Sequence, residues 1–239
     1  MFSKFEYITP PVNAGQVAFR FISTIITRQL ARTSITPNQV TLSRMVVVTL
    51  SLYLFSLGDP FSLIWAVFLF YIFEILDHVD GDLARYKKQF SDLGPKLEQF
   101  VDTWSSRPSN VFGFCVALGM YNYTESISGF VLFGITALGR ILWLEYRDVF
   151  GWVRMPKGTD NQYHEVVGKS FVSTVKNLFE ILYIWNNTFL LLGALFFLPI
   201  RNILGINSLE IGFLIVAILN NIPWVVILIR GFSSSSDRD

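Results

Sequence analysis

Apolar residues run along the chain in six long blocks, at about 38–58, 61–85, 95–122, 126–148, 173–199 and 208–230, each closed by turn residues or charges. Several approach the ~20 apolar residues that cross a hydrocarbon core, so the pattern predicts six transmembrane helices. "GDP" at 58–60 makes a tight turn between the first two blocks. Ser91 to Pro95 separate the second from the third, and Pro95 suits the first turn of a helix. A polar stretch, 151–171, parts the fourth from the fifth, and "LPIRNILGINS" links the last two. Residues 16–33 are too polar to span. Ala18, Phe21, Ile22, Ile25, Ile26 and Leu30 fall on one helical stripe there, with Arg20, Thr24, Thr27, Arg28 and Arg32 mostly off it. This predicts an N-terminal amphipathic helix lying in the membrane interface, with a helix buried against the bundle as the alternative. The expected fold class is all-α integral membrane. One domain is expected over 1–232, followed by a polar, disordered tail, 233–239.

Composition agrees. The 239 residues are 52% hydrophobic and 16% aromatic, with a mean hydropathy of +0.47. Only 15% are charged, against about a quarter in soluble domains. A net charge of +1 offers no field for nucleic acid, and no basic-aromatic pattern suggests base stacking. Cys115 is the lone cysteine and forms no intrachain disulfide. The first dozen residues lack the pattern of a cleaved signal, so the first span is expected to serve as its own. Basic residues gather before the first block (Lys4, Arg20, Arg28, Arg32), after the second (Arg85, Lys87, Lys88), around the fourth-to-fifth connection and after the last (Arg230). The opposite loops offer only Arg201. The positive-inside rule then places both termini and the end of the second block in the cytoplasm of a prokaryotic-type membrane.

That end is acidic instead of basic. In "DHVDGDLARYKKQFSDLGPKLEQFVD" (77–102), Asp77 and Asp80 stand at i and i+3 on one helical face, and Glu98 and Asp102 at i and i+4 on the next helix. The short connection makes the two helices antiparallel neighbours, with both pairs near one boundary. Four carboxylates meeting there repel one another by several kcal/mol, unless divalent cations sit between them. Oxygen donors suit Mg²⁺ or Mn²⁺, which also bind phosphates. Gly81 and Gly94 permit close approach of backbone or ligand, and Arg85, one turn beyond Gly81, offers a guanidinium to a phosphate. A solvated loop suffices to explain Asp82 and Asp92, but not four acids phased with two glycines.

The spacing Asp77-x-x-Asp80-Gly81-x-x-Ala84-Arg85, then eight residues, then Gly94-x-x-x-Glu98-x-x-x-Asp102, resembles the signature of the CDP-alcohol phosphotransferase family. All gap lengths agree and one fixed position departs: Glu98 stands where the family has Asp. "TPNQVTLSR" (36–44) resembles the segment opening that family's first membrane helix. The resemblance implies six membrane helices, an amphipathic N-terminal helix and a two-metal site using Mg²⁺ or Mn²⁺. Asp77, Asp80 and Glu98 would ligate metal. Asp102 would be the general base, and a metal ligand too. Gly81, Ala84, Arg85 and Gly94 would shape the cytidine-diphosphate pocket, with Asn38 and Thr41 contributing from the first helix. The reaction implied is transfer of a substituted phosphate from a CDP-alcohol to an acceptor hydroxyl, with release of CMP. A donor such as CDP-diacylglycerol or a diether analogue is expected from the bilayer setting, with a small alcohol or polyol as acceptor. The family resemblance also implies a homodimer.

Other positions carry weaker expectations. Glu74, one turn before Asp77, either contacts the site or is a hydrogen-bonded intramembrane acid. His78 points away from the acidic face, and His164 reads as solvated. Arg140 and Arg147, at i and i+7 on the fourth helix, offer an anion-binding wall for a phosphorylated acceptor, although flanking charge accounts for Arg147. A Mg²⁺-dependent prenyltransferase calls for two acid-rich motifs where this chain has one. A transporter places its acids near mid-membrane with broken helices and repeats, of which none is visible.

Overall fold

Capping chemistry opens and closes the long helices of the N-terminal half. In the computed structural model, which describes residues 14–105, 107–149, 186–205 and 207–236, α1 spans Ala14–Leu30, α2 Pro37–Leu57, α3 Pro60–Lys87, α4 Leu93–Ser105 and α5 Val111–Thr124. After them come α6 (Ser128–Val149), α7 (Asn186–Leu195), α8 (Phe197–Leu204) and α9 (Ser208–Ser236). The chain divides between Tyr123 and Thr124 into two compact units.

Thr36 caps α2. Its hydroxyl accepts the Gln39 amide at 3.3 Å, and the Gln39 side chain accepts the Thr36 amide at 2.9 Å, satisfying two orphan donors reciprocally. At the other end Gly58 takes a left-handed φ of +77°. Asp59 follows at once as N-cap of α3, accepting the Phe61 and Ser62 amides at 3.1 and 3.0 Å, with Pro60 in the first turn. These two residues reverse the chain, so α2 and α3 run antiparallel. The Ser51 hydroxyl donates to the Ala66 carbonyl across the pair at 2.7 Å. Because lipid is as apolar as leucine, such helices associate through close packing rather than through exclusion of water. An aromatic cluster supplies that packing here. Phe55, Phe70, Phe73 and Phe112 are all buried, and the Phe55–Phe112 and Phe70–Phe112 ring centroids are 5.3 and 4.8 Å apart. The outward positions are apolar as well: Val46, Leu50 and Tyr53 on α2, and Phe61, Trp65 and Phe68 on α3. An apolar core beneath an apolar surface suits a hydrocarbon solvent.

Among the described residues three helices are long and apolar enough to cross a membrane: Pro37–Leu57, Pro60–Lys87 and Ser128–Glu145 within α6. The third expected span, 95–122, is corrected: it forms two helices, α4 and α5. Pro108 supplies the reason, since it has no amide to donate and disfavours helical backbone at the residue before it. Asn110 takes over at the break, its side-chain amide donating to the Thr103 carbonyl at 2.9 Å. About half of the fifth expected block, 173–185, lies outside the described residues. Its remainder forms α7 and α8, which part at Phe196.

In the second unit, small residues let helices approach. A Cβ on Gly139 of α6 would lie 2.7 Å from the Asn221 side chain of α9. Asn221 in turn donates to the Ile135 carbonyl at 3.0 Å and accepts the Trp224 indole N–H at 2.9 Å. The Ser208 hydroxyl bridges α9 to the Gly193 carbonyl of α7 at 2.8 Å.

In the first unit α5 approaches the α2–α3 turn closely. A Cβ on Gly119 would lie 2.0 Å from the Phe55 carbonyl oxygen. Gly119→Ala is therefore expected to lower stability by about 1–3 kcal/mol or more, read as thermal unfolding in detergent. Gly134→Ala, with nothing within 4 Å of its added methyl, is expected to leave the transition unchanged or raise it slightly.

Candidate active site

Antiparallel pairing brings the polar opening of α2 against the acidic end of α3. Thr41 and Arg44, at i and i+3, face Asp77 and Asp80, also at i and i+3. The Arg44 guanidinium lies 2.6 Å from an Asp77 carboxylate oxygen and 3.3 Å from one of Asp80. The Thr41 hydroxyl donates to the same Asp80 oxygen at 2.9 Å. Arg44 is sealed in, 1% exposed, with its guanidinium carbon 4.8 Å from the Phe73 ring centroid. Its acids are not: the Asp77 side chain is 35% exposed and that of Asp80 14%. The structure joins Asp77, Asp80 and Thr41, all three named from the sequence, around an arginine that sequence reasoning passed over. The signal was available. Arg44 lies in the quoted segment 36–44 and runs into an apolar helix, where an ionisable residue is suspect by default.

Asp82 corrects another expectation. Expected as a solvated loop acid, it lies within α3 and is fully buried. Arg20 of α1 reaches both its oxygens, at 3.2 and 3.3 Å, and Arg85 donates to it from one turn further along α3. Arg85 is thus also the partner of an acid, and Arg44 and Arg20 supply the other counter-charges at this end of α3. The same contact orients α1. Its polar residues Arg20, Ser23, Thr24 and Thr27 are buried, while Phe21, Ile22 and Ile25 are exposed. Ile26 and Leu30, from the other edge of the stripe, pack on Val40, Val79 and Leu83. An apolar face turned outward fits a helix against lipid, and the polar face seats it on α3.

The glycines and the loop come next. A Cβ at Gly81 would touch the Arg85 guanidinium at 3.5 Å, so the arginine folds back over bare backbone. Gly94 donates its amide to the Ser91 hydroxyl at 3.1 Å, and Asn38 holds that hydroxyl at 3.1 Å, so Asn38 braces the α3–α4 loop. The Lys87 ammonium pins the α1–α2 link by donating to the Thr33 and Ile35 carbonyls, both at 2.7 Å. The Ala84 carbonyl accepts the Gln89 amide at 3.1 Å, where α3 ends.

The second acidic pair sits on α4, which lies against α2. Glu98 is exposed and lines a cavity of about 410 Å³ with Pro95, Gln99, Thr103, Arg107 and Asn110. Asp102 follows one turn on, its side chain outside the described set. Among the described residues no three His, Cys, Asp or Glu side chains are grouped as a metal site. Arg140 belongs to the second unit, where its guanidinium stacks 4.4 Å from the Trp143 ring centroid. His78, expected to face away, has a ring nitrogen 4.0 Å from an Asp77 oxygen. His164 lies outside the described residues.

A membrane-embedded helix pair ending in paired acids and arginines defines a class of enzyme that handles phosphate esters at a lipid boundary. The family model for CDP-alcohol phosphatidyltransferase matches residues 34–159, more than half of the chain, and the protein belongs to that family. Among solved structures, phosphatidylinositol phosphate synthase from Mycobacterium tuberculosis, with CDP-DAG bound, is similar in fold: TM-score 0.56 at 17% identity, over 87% of this chain and 92% of that one. No curated protein matches the sequence. The chain is an integral membrane transferase that moves a substituted phosphate group from a CDP-alcohol to an acceptor alcohol in phospholipid synthesis, which sets aside the prenyltransferase and transporter alternatives.

Arg44 is expected to be the main compensating charge for the α3 acids. Arg44→Met leaves two carboxylates facing an emptied pocket, a change of about 3–5 kcal/mol for a buried pair broken on one side, reduced here by the exposure of Asp77. Adding Asp80→Asn is expected to recover part of the lost melting temperature in metal-free buffer. A double variant no more stable than Arg44→Met contradicts this assignment.

Proposed function

We propose that the site works with two divalent cations, Mg²⁺ or Mn²⁺, on a lipid-linked donor such as CDP-diacylglycerol or a diether analogue. The observation that carries the reading is the convergence of Asp77 and Asp80, both partly exposed, on the single positive charge of Arg44, 2.6 and 3.3 Å away. Two partly exposed oxygen donors on one helical face fit a hard cation. Asp77, Asp80 and Glu98, with Asp102, are the residues to hold the metals. Glu98 is one methylene longer than the family's aspartate, and its exposed position on α4 leaves room for that reach. Bound metal would neutralise the charge that builds on the diphosphate during transfer.

The chain's own residues do the rest. Asp102 takes the proton from the acceptor hydroxyl, whose oxygen attacks the phosphorus bearing the donor alcohol. A new P–O bond forms there, the P–O bond to the CMP phosphate breaks, and its electron pair leaves with CMP. Arg85, with the bare backbone at Gly81 and Gly94 and with Ala84, holds the diphosphate, while Asn38 and Thr41 keep the loop and Asp80 in place. Residues 1–232 act as one phosphotransferase domain, a homodimer in the membrane, with the site and both termini cytoplasmic. The acceptor is a small alcohol or polyol. If it carries a phosphate, Arg140 is its anion-binding residue, and Arg140→Ala raises the acceptor KM.

The test is CMP release from CDP-diacylglycerol across an acceptor panel. Activity is expected to disappear in excess chelator and to return with Mg²⁺ or Mn²⁺. Asp102→Asn is expected to lose roughly 10²–10⁴-fold in turnover while retaining donor affinity. Activity that survives chelation, or an Asp102→Asn enzyme above half of wild-type turnover, overturns the reading. Glu98→Asp is expected to lower activity in a Mg²⁺ titration, because the shorter carboxylate falls short of its metal; a tenfold gain instead means that Glu98 loosens a metal site that aspartate would restore.

A further inference from the structure

Asp82 sits between two arginines of different origin and exposure. Arg20 comes from α1, 62 residues upstream, and its side chain is 10% exposed. Arg85 comes from the next turn of α3 and is 41% exposed. Both donate to the Oδ1 atom of Asp82, and Arg20 also to Oδ2. Of these two guanidiniums and one carboxylate, the member that opens outward is Arg85. Take Arg20 away and the remainder is a closed, neutral ion pair, in which a wholly buried carboxylate has Arg85 alone to satisfy it. An anion arriving at Arg85 would then compete with a full negative charge in a medium of low polarity, where such pairs are held tightly.

We infer that Arg20 is a positioning residue for donor binding. It satisfies Asp82, so that Arg85 keeps its charge for the diphosphate of the CDP-alcohol. The inference rests on the reading of Arg85 as a diphosphate ligand and extends the working site to α1, which lies before the segment that matches the family, 34–159. Nothing in the sequence signature points to Arg20, and its distance from Asp82 in the chain hides the contact.

The experiment uses the full-length protein in detergent with Mg²⁺, CDP as a calorimetric probe of binding, and CMP release from CDP-diacylglycerol for KM and kcat. Arg20→Met is expected to weaken CDP by roughly ten- to hundredfold, the scale of one charged hydrogen bond lost or diverted. Donor KM should rise in step with kcat little changed, and Arg20→Lys should retain most of the affinity. The deciding variant is Arg20→Met with Asp82→Asn, which removes the competing carboxylate together with its partner. It should bind CDP as wild type does, and affinities compared at matched folded fraction, read from the thermal transition of each variant, separate this rescue from a merely structural role of Arg20. Wild-type CDP affinity in Arg20→Met, or a double variant as weak as the single one, overturns the inference. Should Arg20→Met fail to fold, Asp82→Asn alone decides: CDP binding at least as tight as wild type supports the proposal, and weaker binding overturns it. Arg85→Ala separates the two layers. If it binds CDP like wild type, the diphosphate reading itself fails; if it is weakened while Arg20→Met is not, only the role of Arg20 fails.

Discussion

Charge set among apolar helices has to be neutralised within a few ångström, and α3 imposes that demand three times over at its acidic end, through Asp77, Asp80 and Asp82. The answers come from two other helices. Arg44 of α2 serves Asp77 and Asp80, and Arg20 of α1 shares Asp82 with Arg85. Each answer also fixes a helix. The contact with Arg44 sets the register of α2 along α3, in step with the capped two-residue reversal at Gly58 and Asp59. The contact with Arg20 fixes which face of α1 turns inward. Compensation of charge and arrangement of helices are one problem here, solved by the same side chains.

Apolar packing holds what the charges orient. A hydrocarbon solvent gives little drive to bury leucine, so association falls to shape: the phenylalanine cluster around Phe70 and the close approach of Gly119 to Phe55. These contacts lie toward the turn joining α2 to α3, whereas the acids lie toward the far end of the pair. The helix pair is thus anchored at one end and carries its chemistry at the other. That suits a site which takes substrates from a lipid boundary and returns product to it.

Much of this was legible in the chain. The period of the apolar blocks predicted α2, α3 and α6, and turn chemistry placed the reversal at 58–60. The signature, by its spacing, marked Asp77, Asp80, Gly81, Arg85 and Gly94. What stayed hidden shares a cause, for each case depends on a contact remote in sequence or on a local break that looks continuous. Asp82 appears solvated until α1 is laid against it. The amphipathic stripe of α1 says which residues are alike but not which face turns inward, and a lipid surround admits the apolar face outward. Pro108 stands in a polar run, Ser105 to Asn110, whose break is lost when the block from 95 to 122 is taken as one span. Arg44 looks like the end of a motif rather than a buried cation.

The seating of α1 has a consequence for the order in which the protein can be made. Arg20 meets its acid 62 residues later in the chain, so the ion pair that docks the first helix cannot form until α3 has been synthesised almost to its end. During that interval the buried face of α1, with Ser23, Thr24 and Thr27, has only water and lipid headgroups for company. Among the described helices of this unit, α1 is made before the others and is among the last to find its place. The bilayer surface, which its outward Phe21, Ile22 and Ile25 already suit, is where it can wait.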